Sequence, residues 1–147
     1  MDASVLFGWF ANCSSTAQAL AVLEHTTLEQ RIAPDLVLIE LLNAGWKSNR
    51  AGAITSQQFE AMATLTPQLL GEITPSASLM TMALRWCREL DHPAYDCLYL
   101  ALAEQRQATL ITADQRLLKR LQIAGASPAL AVDLNQWQAP TRLTGAN

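Results

Sequence analysis

The amino-acid sequence predicts a single α/β domain around a mostly parallel sheet. Three observations carry that prediction: short apolar segments alternate with longer stretches of helical spacing, half of the 147 residues are hydrophobic, and no Pro/Gly-rich linker, repeat or low-complexity tract divides the chain. Ser14, Ser15 or Thr16 is placed to cap a helix that runs to about Glu24. Ile32-Ala33 reads as a short strand ended by Pro34, and a helix follows from Asp35 to about Ser48. Thr55 with Gln58 three residues later has the capping-box form and starts another helix. Pro75 and Ser76 open the next, which carries Leu79, Met82, Ala83, Trp86 and Leu90 at helical spacing. Pro93 fits the first turn of a helix continuing to about Gln105. Ala108 to Thr112 is a β-branched, apolar strand, Asp114 caps a helix through Leu117, Leu118 and Leu121, and Ala129 to Val132 is a last strand. The domain is expected over residues 1–137, with a loosely held tail at 138–147.

Composition excludes several classes. Charged residues are 16% of the chain, and its apolar content is too high for a disordered protein. No apolar run approaches the roughly 20 residues that span a bilayer, and the N-terminus lacks the form of a signal peptide. Cys13, Cys87 and Cys97 are odd in number and form no Cys-x-x-Cys pair, so they read as small core residues of a cytoplasmic protein. A net charge of −3 argues against holding nucleic acid by bulk charge. It leaves a nuclease open, because an acidic metal pocket itself lowers the charge.

Four acidic residues stand in apolar surroundings. Glu40 interrupts the run from Leu36 to Leu42, Asp96 lies within Tyr95 to Leu102, Asp114 closes Ala108 to Ala113, and Asp2 precedes Ala3-Ser4-Val5-Leu6. A buried carboxylate is costly unless it is paired, hydrogen-bonded or bound to a cation. Each has an ordinary alternative: helix cap for Asp114, helix-dipole partner for Asp96, solvated terminus for Asp2, exposed turn for Glu40. Together they suggest one pocket for Mg²⁺ or Mn²⁺, which oxygen ligands without His or Cys favour over Zn²⁺.

The same residues carry a resemblance. Asp2-Ala3-Ser4-Val5 with Trp9-Phe10, Ala33-Pro34-Asp35-Leu36 through Glu40 to Asn43 and on to Thr55, Tyr95 to Glu104, and Thr109 to Asp114 stand in one order. In them the chain resembles the PIN-domain nucleases, and most closely the VapC-like ribonuclease toxins of toxin–antitoxin pairs. The resemblance implies a three-layer α/β/α sandwich, Mg²⁺- or Mn²⁺-dependent RNA cleavage, a homodimer, and a small antitoxin whose C-terminal segment covers the active-site groove. It places Asp2, Glu40, Asp96 and Asp114 at the family's four acidic positions. The family has an apolar strand before the first aspartate, whereas only Met1 precedes Asp2 here. A misassigned start, a truncated start or another segment in that slot is the expected explanation.

Roles follow from chemistry. A divalent cation would orient the scissile phosphate, acidify a bound water and stabilise the leaving oxygen. Asp2, Asp96 and Asp114 are expected to hold it, directly or through water, while Glu40 is either a ligand or positions the attacking water. Ser4, Thr112 and Asn43 are placed to support the site, the two hydroxyls by hydrogen-bonding the carboxylates or metal waters. Asn43 and Lys47 share a helix face with Glu40, Arg50 follows, and Arg116, Lys119 and Arg120 form a second basic group for the RNA backbone. The direction of Arg106 is open. His25 and His92 read as surface or turn residues, and the tryptophans Trp9, Trp46, Trp86 and Trp137 as core or dimer contacts. Two rival functions stand beside the toxin: a PIN nuclease of RNA processing without an antitoxin, and a catalytically silent binding module.

Overall fold

The computed structural model describes residues 1–139; most of the expected tail, from residue 140, lies outside them. The elements run α1 (Ala3–Phe10), α2 (Thr16–His25), β1 (Ile32–Pro34), α3 (Leu36–Arg50), α4 (Ser56–Leu69), β2 (Glu72–Thr74), α5 (Met80–Leu90), α6 (Ala94–Gln105), β3 (Leu110–Thr112), α7 (Gln115–Ile123) and β4 (Ala131–Asp133). All strand pairs are parallel, as the alternation of strands and helices predicts. They form two separate pairs, β1 with β2 and β3 with β4. Met1 and Asp2 link β1 to β3. The Met1 amino group donates to the Ile32 carbonyl at 3.2 Å, and the Asp2 N–H donates to the Ile111 carbonyl at 3.3 Å.

Helix α1 was not anticipated. Its sequence is apolar nearly all round and shows no periodicity, and what starts it is the Asp2 carboxylate, which accepts from the N–H groups of Ser4 and Val5. Gly8 lets α1 approach α2, since a Cβ there would fall 2.6 Å from that of Ala19. The predicted caps on α4 and α7 form: Thr55 and Gln58 make the reciprocal capping box, and Asp114 accepts from Arg116 and Leu117 N–H. The helix predicted to open at Pro75 and Ser76 begins instead as a 3-10 turn at Ser76–Leu79 before α5.

Helix α6 is the central element. Every residue from Cys97 to Ala103 is buried, as expected for a helix without a polar stripe, and it packs against α5, β1 and β3. Each large side chain it buries, such as Leu100, is worth about 1.5–3 kcal/mol. The buried Trp86 of α5 is satisfied by the Glu104 carboxylate, which accepts from its indole N–H at 2.9 Å. Strand β2 was missed because a three-residue strand with one β-branched aliphatic residue has no pattern of its own. It is set in place by Gly71, whose N–H donates to the Arg31 carbonyl at 2.9 Å. Arg31 in turn donates to the carbonyls of Thr26, Thr27 and Leu69. Arg106, whose direction the sequence left open, pairs with Glu72 of β2.

A Cβ on Gly71 would lie 2.2 Å from the Leu28 carbonyl oxygen, a backbone atom that cannot swing aside. Gly71→Ala is therefore expected to destabilise the protein by about 1–3 kcal/mol in urea titration, the range for overpacking. Unchanged stability would show that the loop at Leu28 yields freely.

Candidate metal centre

The predicted acids come from four elements far apart in the chain and lie near enough for their charges to interact, Glu40 with Asp96 and Asp2, and Asp96 with Asp114 and Asp2. Asp2, the cap of α1, accepts hydrogen bonds from the hydroxyls of Ser4 and Thr112. Each hydroxyl also accepts from the backbone that follows β3: Ser4 Oγ from the Ala113 N–H at 3.1 Å, Thr112 Oγ1 from the Asp114 N–H at 2.9 Å. Both hydroxyls thus bond the Asp2 carboxylate, and they tie the start of α1 to the start of α7. Asp114 caps α7 through Oδ1 alone, with N–H donors at 2.8 and 3.2 Å. Asp96 lies in the first turn of α6, half-buried. Glu40 projects from α3 and accepts a hydrogen bond from the buried Tyr99 hydroxyl of α6.

His92 joins Asp96 and Asp114, and of its reading as a surface or turn residue only the surface half is corrected. It does lie in the turn before α6, but its side chain is only 6% exposed and its Nε2 is 2.8 Å from Asp96 Oδ2. Pro93 explains the geometry: its extended backbone at the α6 N-cap turns the chain so that residue 92 folds back over the first helical turn. The signal in the sequence was a histidine four residues before the acid. One ligand atom from each of His92, Asp96 and Asp114 lies within 4.8 Å of the other two. Asp2 and Glu40 are outside this group of three; Asp2 is held by the Ser4 and Thr112 hydroxyls and Glu40 by that of Tyr99.

The charges act on one another. Burial raises the Glu40 carboxyl above its ordinary value, and repulsion from Asp96 and Asp2 adds to this, against the Tyr99 hydrogen bond. Asp96 is raised first by burial and then by repulsion from Asp114 and Asp2, with the His92 hydrogen bond opposing. The α6 N-terminus favours the Asp96 charge, but burial outweighs it. Burial and the neighbouring Glu40 carboxylate push the Tyr99 phenol far up, so it stays a neutral donor. Half-buried carboxylates that repel each other, with an imidazole among them, fit a divalent cation.

Around this centre the basic residues divide. Arg116, Lys119 and Arg120 line a groove of about 480 Å³ together with His92. Asn43 and Lys47 are exposed on α3, one and two turns beyond Glu40; neither hydrogen-bonds a site carboxylate among the described residues. Arg50 ends α3 with its guanidinium 5.6 Å from the Trp46 ring centre. Trp46 is exposed, whereas Trp86 is core and Trp9 and Trp137 pack partly buried against it.

Comparison with known proteins agrees with this fold. In structure the chain is similar to PAE2754 from Pyrobaculum aerophilum, known from its crystal structure, with a TM-score of 0.57 and 23% identity over 91% of this chain and 87% of that one. The likeness concerns the fold. A comparison with curated proteins gives no match. The PIN domain family model matches residues 1–123, which include all four acids and His92. The chain therefore belongs to the PIN domain family, whose members are metal-dependent nucleases.

Proposed function

We propose that the protein is a metal-dependent endoribonuclease that hydrolyses RNA phosphodiester bonds, and that it is the toxin of a toxin–antitoxin pair. The observation that supports the proposal is the approach of Asp96 and Asp114 beside His92, with Asp2 and Glu40 near enough for the four charges to act on one another, next to a groove lined by basic residues. Asp96 and Asp114 would hold Mg²⁺ or Mn²⁺, with Asp2 acting through water from behind its hydroxyl partners. The cation supplies charge opposite the phosphate and lowers the pKa of water. Glu40, held by Tyr99, orients the attacking water and takes its proton, for which a raised carboxyl is suited. Arg116, Lys119 and Arg120 lead the RNA backbone to the pocket, with Lys47 and Arg50 on the opposite rim.

The toxin role rests on the VapC-like resemblance and on the surface. Ile39, Leu42 and Trp46 form an exposed apolar stripe on the Glu40 helix, and a second copy of the chain or an antitoxin seated there would bury it. The three free cysteines fit a reducing cytoplasm. No helix among the described residues is long and apolar enough to cross a membrane. A small gene for a DNA-binding protein beside this one would favour the toxin over an RNA-processing nuclease. The silent binding module draws on one observation: Asp2 and Asp114 serve as helix caps whether or not a metal binds.

Cleavage of a mixed RNA pool in Mg²⁺, Mn²⁺ or EDTA decides between nuclease and silent module. Activity should require metal and fall by about a hundredfold or more in Asp96→Asn and Asp114→Asn, the scale of losing a group that acts in the transition state. At position 114 Asn caps a helix as well as Asp, and at position 96 it removes a charge that burial already disfavours, so both variants should fold; full activity in both would refute the assignment. Arg116→Ala combined with Lys119→Ala should raise KM severalfold while kcat holds, and an unchanged KM would move the RNA path elsewhere.

Stability follows the raised carboxyls. A carboxyl raised on folding binds more protons folded than unfolded, so between its unfolded value of about 4 and its raised folded value it stabilises the protein as pH falls. In EDTA, Glu40→Gln should therefore have a higher Tm than wild type at pH 7, and the gap should close toward pH 4.5. A gap that stays constant with pH would mean that Glu40 feels no net penalty from its neighbours.

A further inference from the structure

We propose that His92 is a metal ligand, so that the centre is a mixed nitrogen–oxygen site of His92, Asp96 and Asp114 that prefers a first-row transition ion, Mn²⁺ among them, to Mg²⁺. The inference rests on the metal-dependent reading above and changes its chemistry: the donors read from the sequence were oxygens only, with Mg²⁺ and Mn²⁺ as equals.

Three observations support it. The imidazole is almost wholly enclosed, at 6% exposure, and its Nε2 faces the acidic cluster. Nε2 and Asp96 Oδ2 are 2.8 Å apart. Two ligands at right angles about an ion, each with a bond of about 2.1 Å, stand about 3 Å apart, so an ion can replace the proton between these atoms with little movement. Asp114 supplies the third donor within 4.8 Å of both, and its two helix-capping bonds fall on Oδ1. The third donor thus has an oxygen, Oδ2, not used in capping. Imidazole is a good ligand for first-row transition ions, whereas Mg²⁺ takes oxygen donors and dehydrates reluctantly.

The site also has the enclosure a chosen ligand needs. His92 is set by Pro93 on one side and by the first turn of α6 on the other, and Arg116, Lys119 and Arg120 line the groove it borders. A solvated turn histidine would not be expected to sit between an acidic centre and a basic channel with its ring buried.

The test is Mn²⁺ binding to the full chain, followed by calorimetry and by pulsed EPR, with Mg²⁺ competition. Wild type should bind Mn²⁺ with nitrogen-14 modulation of the EPR signal. His92→Gln, which keeps a donor for Asp96, should lose the modulation and weaken Mn²⁺ by more than about tenfold, with Mg²⁺ affinity nearly unchanged. Saturable Mn²⁺ binding without nitrogen modulation in wild type would overturn the proposal and leave the nuclease reading standing, with His92 only a hydrogen-bond partner of Asp96. No saturable Mn²⁺ binding in wild type would overturn both. Because the nitrogen signal is read in wild type, the proposal stays testable even if the variant fails to fold.

Discussion

The side chain of Asp2 is bonded from two directions at once. Ser4 and Thr112 hydroxyls and two N–H groups of α1 converge on its carboxylate, while its own N–H reaches the carbonyl of Ile111. Through these bonds the start of α1 is fastened to β3 and to the corner that leads into α7. The corner carries Asp114, and β3 lies against α6, which carries Asp96 and Tyr99. Tyr99 holds Glu40 of α3. The positions of all four acids are thus linked through side-chain hydrogen bonds and packing.

Such an arrangement works against the protein's own stability. The fold holds carboxylates where burial and mutual repulsion both disfavour their charge, and it does so with groups already committed to structure. Two of the acids cap the N-termini of helices, one lies in a first helical turn and one is tethered to a phenol. Sites of this kind are where folding rules are broken for chemistry, and where charge-removing substitutions often stabilise a protein while ending its activity. The core around them is conventional: α6 is buried along its length and α5 closes over it, with the Trp86 indole satisfied by Glu104.

Much of this was legible from residues alone, and the reasons are local. Helices α3, α4, α6 and α7 announce themselves through a capping box, a proline at the first turn, an N-cap aspartate or a long apolar run, all of which act over three or four residues. The four acids were legible because each interrupts or borders an apolar segment. What could not be read depends on partners far along the chain. Helix α1 has no polar face, so only its Asp2 cap marks it as helical, and β2 is three residues whose strand state comes from pairing with β1. The split of the strands into two pairs is likewise a matter of what links β1 to β3. His92 was misread for a different reason. A histidine before proline is a loop residue by backbone restriction, and nothing local reveals that the loop folds inward. Arg106 turned to Glu72 because β2 lay where no pattern had placed it.

The helix caps formed by Asp2 and Asp114 bear on how this protein's descendants would change. A lineage that abandoned catalysis would still be selected to keep both residues, since Ala at either position frees N–H groups of a packed helix. Asp96 and Glu40 cap no helix; their partners are single side chains, His92 and Tyr99, and they would drift first. In a comparison of related chains, persistence of Asp2 and Asp114 would therefore report an intact fold, whereas Asp96 and Glu40 are the pair whose retention would mark a living enzyme.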